Sequence, residues 1–211
     1  MMAARSTRRR LGALCFALGG LAFALVGVLH PHVDGPTDYN VVIATMLQAP
    51  IWVAAHKIAT ATGLLLAMTL WLLIDVDFGR ESLWSDAGSR LALVATLFMT
   101  VDFSVEAAAK SSTALLALVD QMQSIGWPAF GLGFALVAAG AKNAAPLAVR
   151  CIGAAGAAAM GLAGILVVGL HVLYLEPLFA GGFLLGVWMV WAGVRTAMSK
   201  SQPSDTFVEV N

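Results

Sequence analysis

Charge is what this sequence most lacks. Of its 211 residues only 11% are Asp, Glu, Lys or Arg, against roughly 25% in soluble domains. At the same time 60% are hydrophobic. A soluble globule of this length keeps too much surface wet to hide that apolar area, whereas a bilayer removes the constraint. The formal net charge is zero, which excludes the global basic field expected of a nucleic-acid binder. Cysteine is scarce as well. Cys15 and Cys151 both fall at the expected cytoplasmic end of apolar segments, so two packed thiols are expected rather than a disulfide framework. The chain also lacks a phosphate loop, a nucleotide motif, a catalytic signature and an internal repeat.

What is present is a series of long uncharged runs. Runs of about 20 apolar residues read as transmembrane helices. Six are expected, over about Leu11–Leu29, Pro50–Leu73, Leu91–Ala109, Met122–Gly140, Ala148–Val172 and Leu178–Val194. Pro50 suits a helix start, where its missing N–H costs nothing. The links are short, so neighbouring helices should pack antiparallel. The expected fold is therefore an all-α bundle of six transmembrane helices in a single domain, residues 1–211, with 201–211 a loose cytoplasmic tail. Thr7-Arg8-Arg9-Arg10 before the first run has the look of an export signal, but the run is long and no A-x-A site follows it.

Lys and Arg set the orientation, because they are retained on the cytoplasmic side. With both termini inside, Arg5, Arg8, Arg9, Arg10, Arg80, Arg90, Lys142, Arg150, Arg195 and Lys200 are inside, which is ten of the twelve basic residues. An odd number of spans would spoil this sorting. Trp71, Trp84, Trp188 and Trp191 then mark the inner interface, and Tyr39, Trp52 and Tyr174 the outer one. Between the first two spans, Asp38 is placed to cap a short interfacial helix containing Val41, Val42, Met46 and Leu47. That helix either connects the spans or covers a site as a lid.

Small residues suggest how the helices meet. Gly153, Ala157 and Gly161 form a small-xxx-small stripe on the fifth span, and Ala55, Ala59 and Gly63 a similar one on the second, its expected partner. Pro128 should bend the fourth span.

The ionisable residues are polarised. All four histidines, His30, His32, His56 and His171, map to the outer side. So do Asp34, Asp38, Asp102, Glu106, Asp120, Glu176, Lys57, Lys110, Gln121 and Gln123. Asp102 and Glu106 lie four residues apart on one face of an apolar helix, and an acid at membrane depth must face protein or water. Lys110 continues that face and can pair with Glu106. Lys57 points away from His56 and can snorkel. Two readings follow. One is a polar knot that ties helices together. The other is an outward-facing cavity lined by His56, Asp102, Glu106 and His171.

Three functional classes fit. In the first, a small membrane enzyme or redox subunit acts on a lipid-soluble substrate such as a quinone, isoprenoid or acyl lipid. His56, Asp102 and Glu106 are its catalytic candidates, and Lys57, Lys110 and Trp127 its substrate contacts. His56 and His171, on different spans, could ligate a haem b. His30 and His32, with an acid, could hold a divalent metal. The second class is a proton-linked transporter, against which stand the missing inverted repeat and the apolar inner half. The third is a non-catalytic assembly protein, alone or in a homo-oligomer or membrane complex. His30-Pro31, Trp52 to His56 and Val101-Asp102 also give the first half of the chain a layout that resembles small polytopic bacterial proteins without an assigned activity. The resemblance implies a bacterial inner-membrane setting and no reaction.

Overall fold

The computed structural model describes residues 2–31, 38–74, 82–109 and 112–199. Among these, all regular structure is helical. The α-helices are α1 (Met2–Leu29), α2 (Tyr39–Gln48), α3 (Trp52–Ile74), α4 (Leu83–Ala108), α5 (Thr113–Gly140), α6 (Leu147–Ala163) and α7 (Gly181–Met198). A π-helical turn, Gly164–Gly169, extends α6, and a 3-10 segment, Leu173–Ala180, leads into α7. Six helical spans are long and apolar enough to cross a membrane, so the chain is an all-α multi-pass membrane protein. His32, Asp34, Arg80, Lys110, Lys200 and the expected tail 201–211 lie outside the described residues.

Several spans are longer than apolarity alone indicates, because polar caps start them early. Ser82 and Ser85 form a reciprocal capping box, so α4 begins eight residues before Leu91 and carries Asp86 and Arg90 in its first turns. Ser112 accepts from the backbone N–H of Leu115 and starts α5 at Thr113. At α3 the helix begins at Trp52, two residues past Pro50. Pro128 sits inside α5 without ending it. Asp38 caps α2 as expected, accepting from the N–H groups of Asn40 and Val41.

The six spans close into a ring in chain order. Each of α1, α3, α4, α5, α6 and α7 packs on its sequence neighbours, and α7 returns to α1. Arg9 near the start of α1 donates to Ser199 at the end of α7 (2.9 Å), so both ends of the chain lie at one end of the bundle. Phe16, Leu66, Phe134, Met160, Leu185, Trp188 and Met189 fill the centre.

Close backbone approach sets the seams. A Cβ on Gly131 of α5 would fall 2.5 Å from the Ala157 carbonyl and 2.6 Å from Gly161 of α6. One on Gly133 would fall 2.6 Å from the Ala92 nitrogen of α4. Dispersion and backbone contact of this kind, rather than hydrophobic exclusion, hold helices together in lipid. The expected pairing of the α6 stripe with α3 is corrected here. Ala157 and Gly161 face α5, Gly153 faces Trp188 of α7, and Gly63 of α3 faces Thr100 of α4.

Two belt assignments also change. Trp188 is fully buried, with Phe16 edge-on at 5.5 Å, and Trp52 is 1% exposed beneath α2. Their indole surface is used for packing inside the ring. Trp71, Trp84, Trp191 and Tyr174 are exposed, as interface anchors should be.

Candidate functional site

The site grows from the first turn of α3. Trp52 and His56 are one turn apart and both buried, with ring centroids 4.1 Å apart. The Nδ1 of His56 lies 2.7 Å from the Trp52 carbonyl oxygen. A carbonyl only accepts, so Nδ1 carries a hydrogen and Nε2 is the nitrogen turned to the neighbouring helix. There it meets Oε2 of Glu106, from the last turn of α4, at 3.1 Å.

Two further contacts fix Glu106. Gln123 of α5 donates to the same Oε2 (3.0 Å), and the Trp52 indole N–H donates to the Glu106 backbone carbonyl (3.2 Å). Helices α3, α4 and α5 are thus joined at one point. Proton counting constrains what lies at this point. An Nε2 lone pair does not rest 3.1 Å from a carboxylate lone pair unless a proton or a cation lies between them.

His30 completes the group. It follows the last residue of α1 and is half-buried. Its ring centroid is 5.3 Å from that of His56 and 5.9 Å from that of Trp52. Its Nδ1 is 3.1 Å from the Pro31 carbonyl oxygen. One ligand atom each from His30, His56 and Glu106 lies within 4.8 Å of the others.

Asp102 sits one turn below Glu106. It is fully buried, and neither carboxylate oxygen has a hydrogen-bond partner among the described residues. Its polar neighbours are Glu106, Gln123 and His56, so it faces the same cluster. A buried polar group left unpartnered costs about 1–3 kcal/mol, and a position that bears such a cost is a functional candidate in a membrane protein.

A second cluster lies beside the first. The Tyr39 hydroxyl at the start of α2 donates to Oδ1 of Asp120 on α5 (2.7 Å). His171 Nε2 is 3.7 Å from Oδ2 of the same carboxylate. The Tyr39 and His171 rings stack with centroids 4.0 Å apart and planes 6° apart. Burial, first, and then the hydrogen bond and charge of Asp120 and the charge of Glu106 push the Tyr39 phenol well above its ordinary pKa. His171 has φ 55, a left-handed conformation in which glycine commonly terminates a helix. Here histidine does so after the π-turn.

The structure therefore brings together His56, Asp102 and Glu106, and adds His30 and Gln123. It does not bring His171 to them: His171 sits with Tyr39 and Asp120, while His56 sits with Glu106, Trp52 and His30. An open cavity was expected, yet His56, Asp102 and Glu106 are 2%, 0% and 6% exposed. Lys57 is exposed. Trp127 is packed edge-to-face against Phe103, Phe130 and Phe179. His32 and Lys110, outside the described residues, stay as sequence expectations.

Sequence reasoning missed the Tyr39–Asp120–His171 group and the role of Gln123. One signal was available: Asp120 and Gln123 are one turn apart in a largely apolar helix, and so share a side. Comparison of the chain with protein-family models, with curated proteins and with solved structures found no match.

Proposed function

We propose that this chain is a small enzyme of the bacterial cytoplasmic membrane, with both termini inside, acting on a lipid-soluble substrate near the outer leaflet. The observation that carries the reading is the buried contact between His56 Nε2 and Glu106 Oε2 at 3.1 Å. Such a pair can take a proton from a substrate and return it, because an imidazole and a carboxylate held within hydrogen-bond reach can pass a proton between them. The Trp52 carbonyl fixes the reactive nitrogen, and Gln123 holds the carboxylate against it. Asp102 supplies a further buried carboxyl one turn away. The half-buried ring of His30 marks the side from which a substrate in the lipid would approach.

The reading is tested by comparing extracted membrane lipids from cells making the wild-type chain and Glu106→Gln at equal protein level. We expect a quinone, isoprenoid or acyl-lipid species that changes with the wild type and not with the variant. Identical lipid pools, with both proteins folded, would overturn it.

A proton-linked transporter is the second reading. It is favoured by a run of buried hydroxyls, Ser85, Ser89, Thr96 and Thr100, along α4 from the arginine-bearing end toward Asp102. Three of these hydroxyls are satisfied locally: Ser85 donates to Ser82, and Ser89 and Thr100 donate to carbonyls one turn back. Acidification of proteoliposomes driven by a solute gradient, lost in Asp102→Asn, would favour this reading over the enzymatic one.

A further inference from the structure

We propose that His30, His56 and Glu106 form a binding site for one divalent transition-metal cation of the Zn2+ type. The proposal deepens the reading of the same site as enzymatic, and names the ion that would take the place of the shared proton.

Ligand chemistry comes first. Two imidazoles and a carboxylate suit borderline first-row divalent ions. Ca2+ and Mg2+ seek all-oxygen shells of six or more ligands. Three protein ligands with the rest of the coordination sphere open is the pattern of catalytic rather than structural zinc.

Geometry comes next. Zn–N and Zn–O bonds near 2.0–2.1 Å place the ligand atoms of a tetrahedral site about 3.3 Å apart. His56 Nε2 and Glu106 Oε2 are already 3.1 Å apart. The three ligand atoms are within 4.8 Å of one another, and the remaining approach falls to His30. It lies just past the end of α1, half-buried, with its ring against those of Trp52 and His56.

The supporting shell is a third and independent observation. Metal-bound imidazoles usually donate their other N–H to a carbonyl or carboxylate. His56 Nδ1 has the Trp52 carbonyl at 2.7 Å, and His30 Nδ1 has the Pro31 carbonyl at 3.1 Å. Gln123 orients the carboxylate from the far side. Asp102, fully buried and without a hydrogen-bond partner among the described residues, faces the same cluster.

The test uses the full chain purified in detergent, stripped with a chelator and dialysed against Zn2+, with metal content measured by elemental analysis. Co2+ substitution gives a visible spectrum that reports ligand type. One equivalent of Zn2+ per chain is expected. His30→Ala, at a half-buried position that does not support the core, should weaken binding on the order of 10- to 100-fold or more with little change in the unfolding midpoint. Glu106→Gln should weaken it as well, and His171→Ala should not. Failure of the wild type to retain Zn2+, or one equivalent retained undiminished in both His30→Ala and Glu106→Gln, overturns the proposal. The two readings separate cleanly. A lipid change that needs Glu106 in a chain that binds no Zn2+ removes the ion and keeps the enzyme, and stoichiometric Zn2+ with unchanged lipids does the reverse.

Discussion

At the scale of single residues, Asp102 separates function from glue. Its carboxyl is buried and without a hydrogen-bond partner among the described residues, so it costs stability where it stands. Asp102→Asn should therefore hold or raise the unfolding midpoint, by roughly 2–4 °C for each kcal/mol recovered in a chain of this size, while lowering activity. Scanning fluorimetry in detergent reads the first quantity; a falling midpoint would mark Asp102 as interhelical glue instead. Gln123 predicts the opposite pattern. Gln123→Leu removes the donor to Glu106 Oε2 and leaves a buried acceptor short of a partner, so it should cost about 1–3 kcal/mol, seen as a lower midpoint in the same assay.

At the scale of elements, α2 is held over the site by Tyr39 at its start and by Val42, Met46 and Leu47, which pack on Trp52. Tyr39→Phe keeps the ring stacked on His171 and removes only the bond to Asp120. The loss is about 1 kcal/mol, so amide exchange across Tyr39–Gln48 should quicken about fivefold. Unchanged exchange would show that the apolar face alone holds the helix. The pH dependence of this latch follows from the sign of the Tyr39 shift. Its folded-state pKa lies above the ordinary tyrosine value, so its contribution is fully present below about pH 10 and fades only as pH rises beyond it. Exchange of α2 between pH 6 and 9 should therefore show no opening traceable to the phenol.

Helix seams give a second element-scale prediction. Gly131→Leu places side-chain atoms where the backbone of Ala157 and Gly161 already sits, and should abolish a monodisperse peak in size-exclusion chromatography. Gly27→Ala meets nothing within 4 Å and should stabilise by roughly 0.5–1 kcal/mol through helix propensity.

At the scale of the molecule, the ring puts Arg9 beside Ser199 and the His30–His56–Glu106 group at the opposite end of α1 from Arg9. If the basic end is cytoplasmic, reporter fusions at both termini should be active in a cytoplasmic reporter and silent in an exported one. A fusion in the α4–α5 connection near Ser112 should show the reverse. Opposite behaviour would invert the proposed orientation and move the site to the inner leaflet.

The number of spans, the α2 helix and the confinement of the described histidines, His30, His56 and His171, to one end were legible in the chain itself. They depend on local apolarity, capping and the cost of charge in hydrocarbon, each carried by a short stretch of residues. His56 and Glu106 were legible too, since an ionisable residue inside an apolar run identifies itself. Their direct contact was not, nor was the addition of His30, because ring order depends on which small-residue seams pair. The seam of α6 with α5, rather than with α3, is a matter of shape matching between distant backbones that no local pattern encodes. Only that closure decided that His30, at the end of α1, faces His56 on α3, and that His171 turns away to Tyr39 and Asp120.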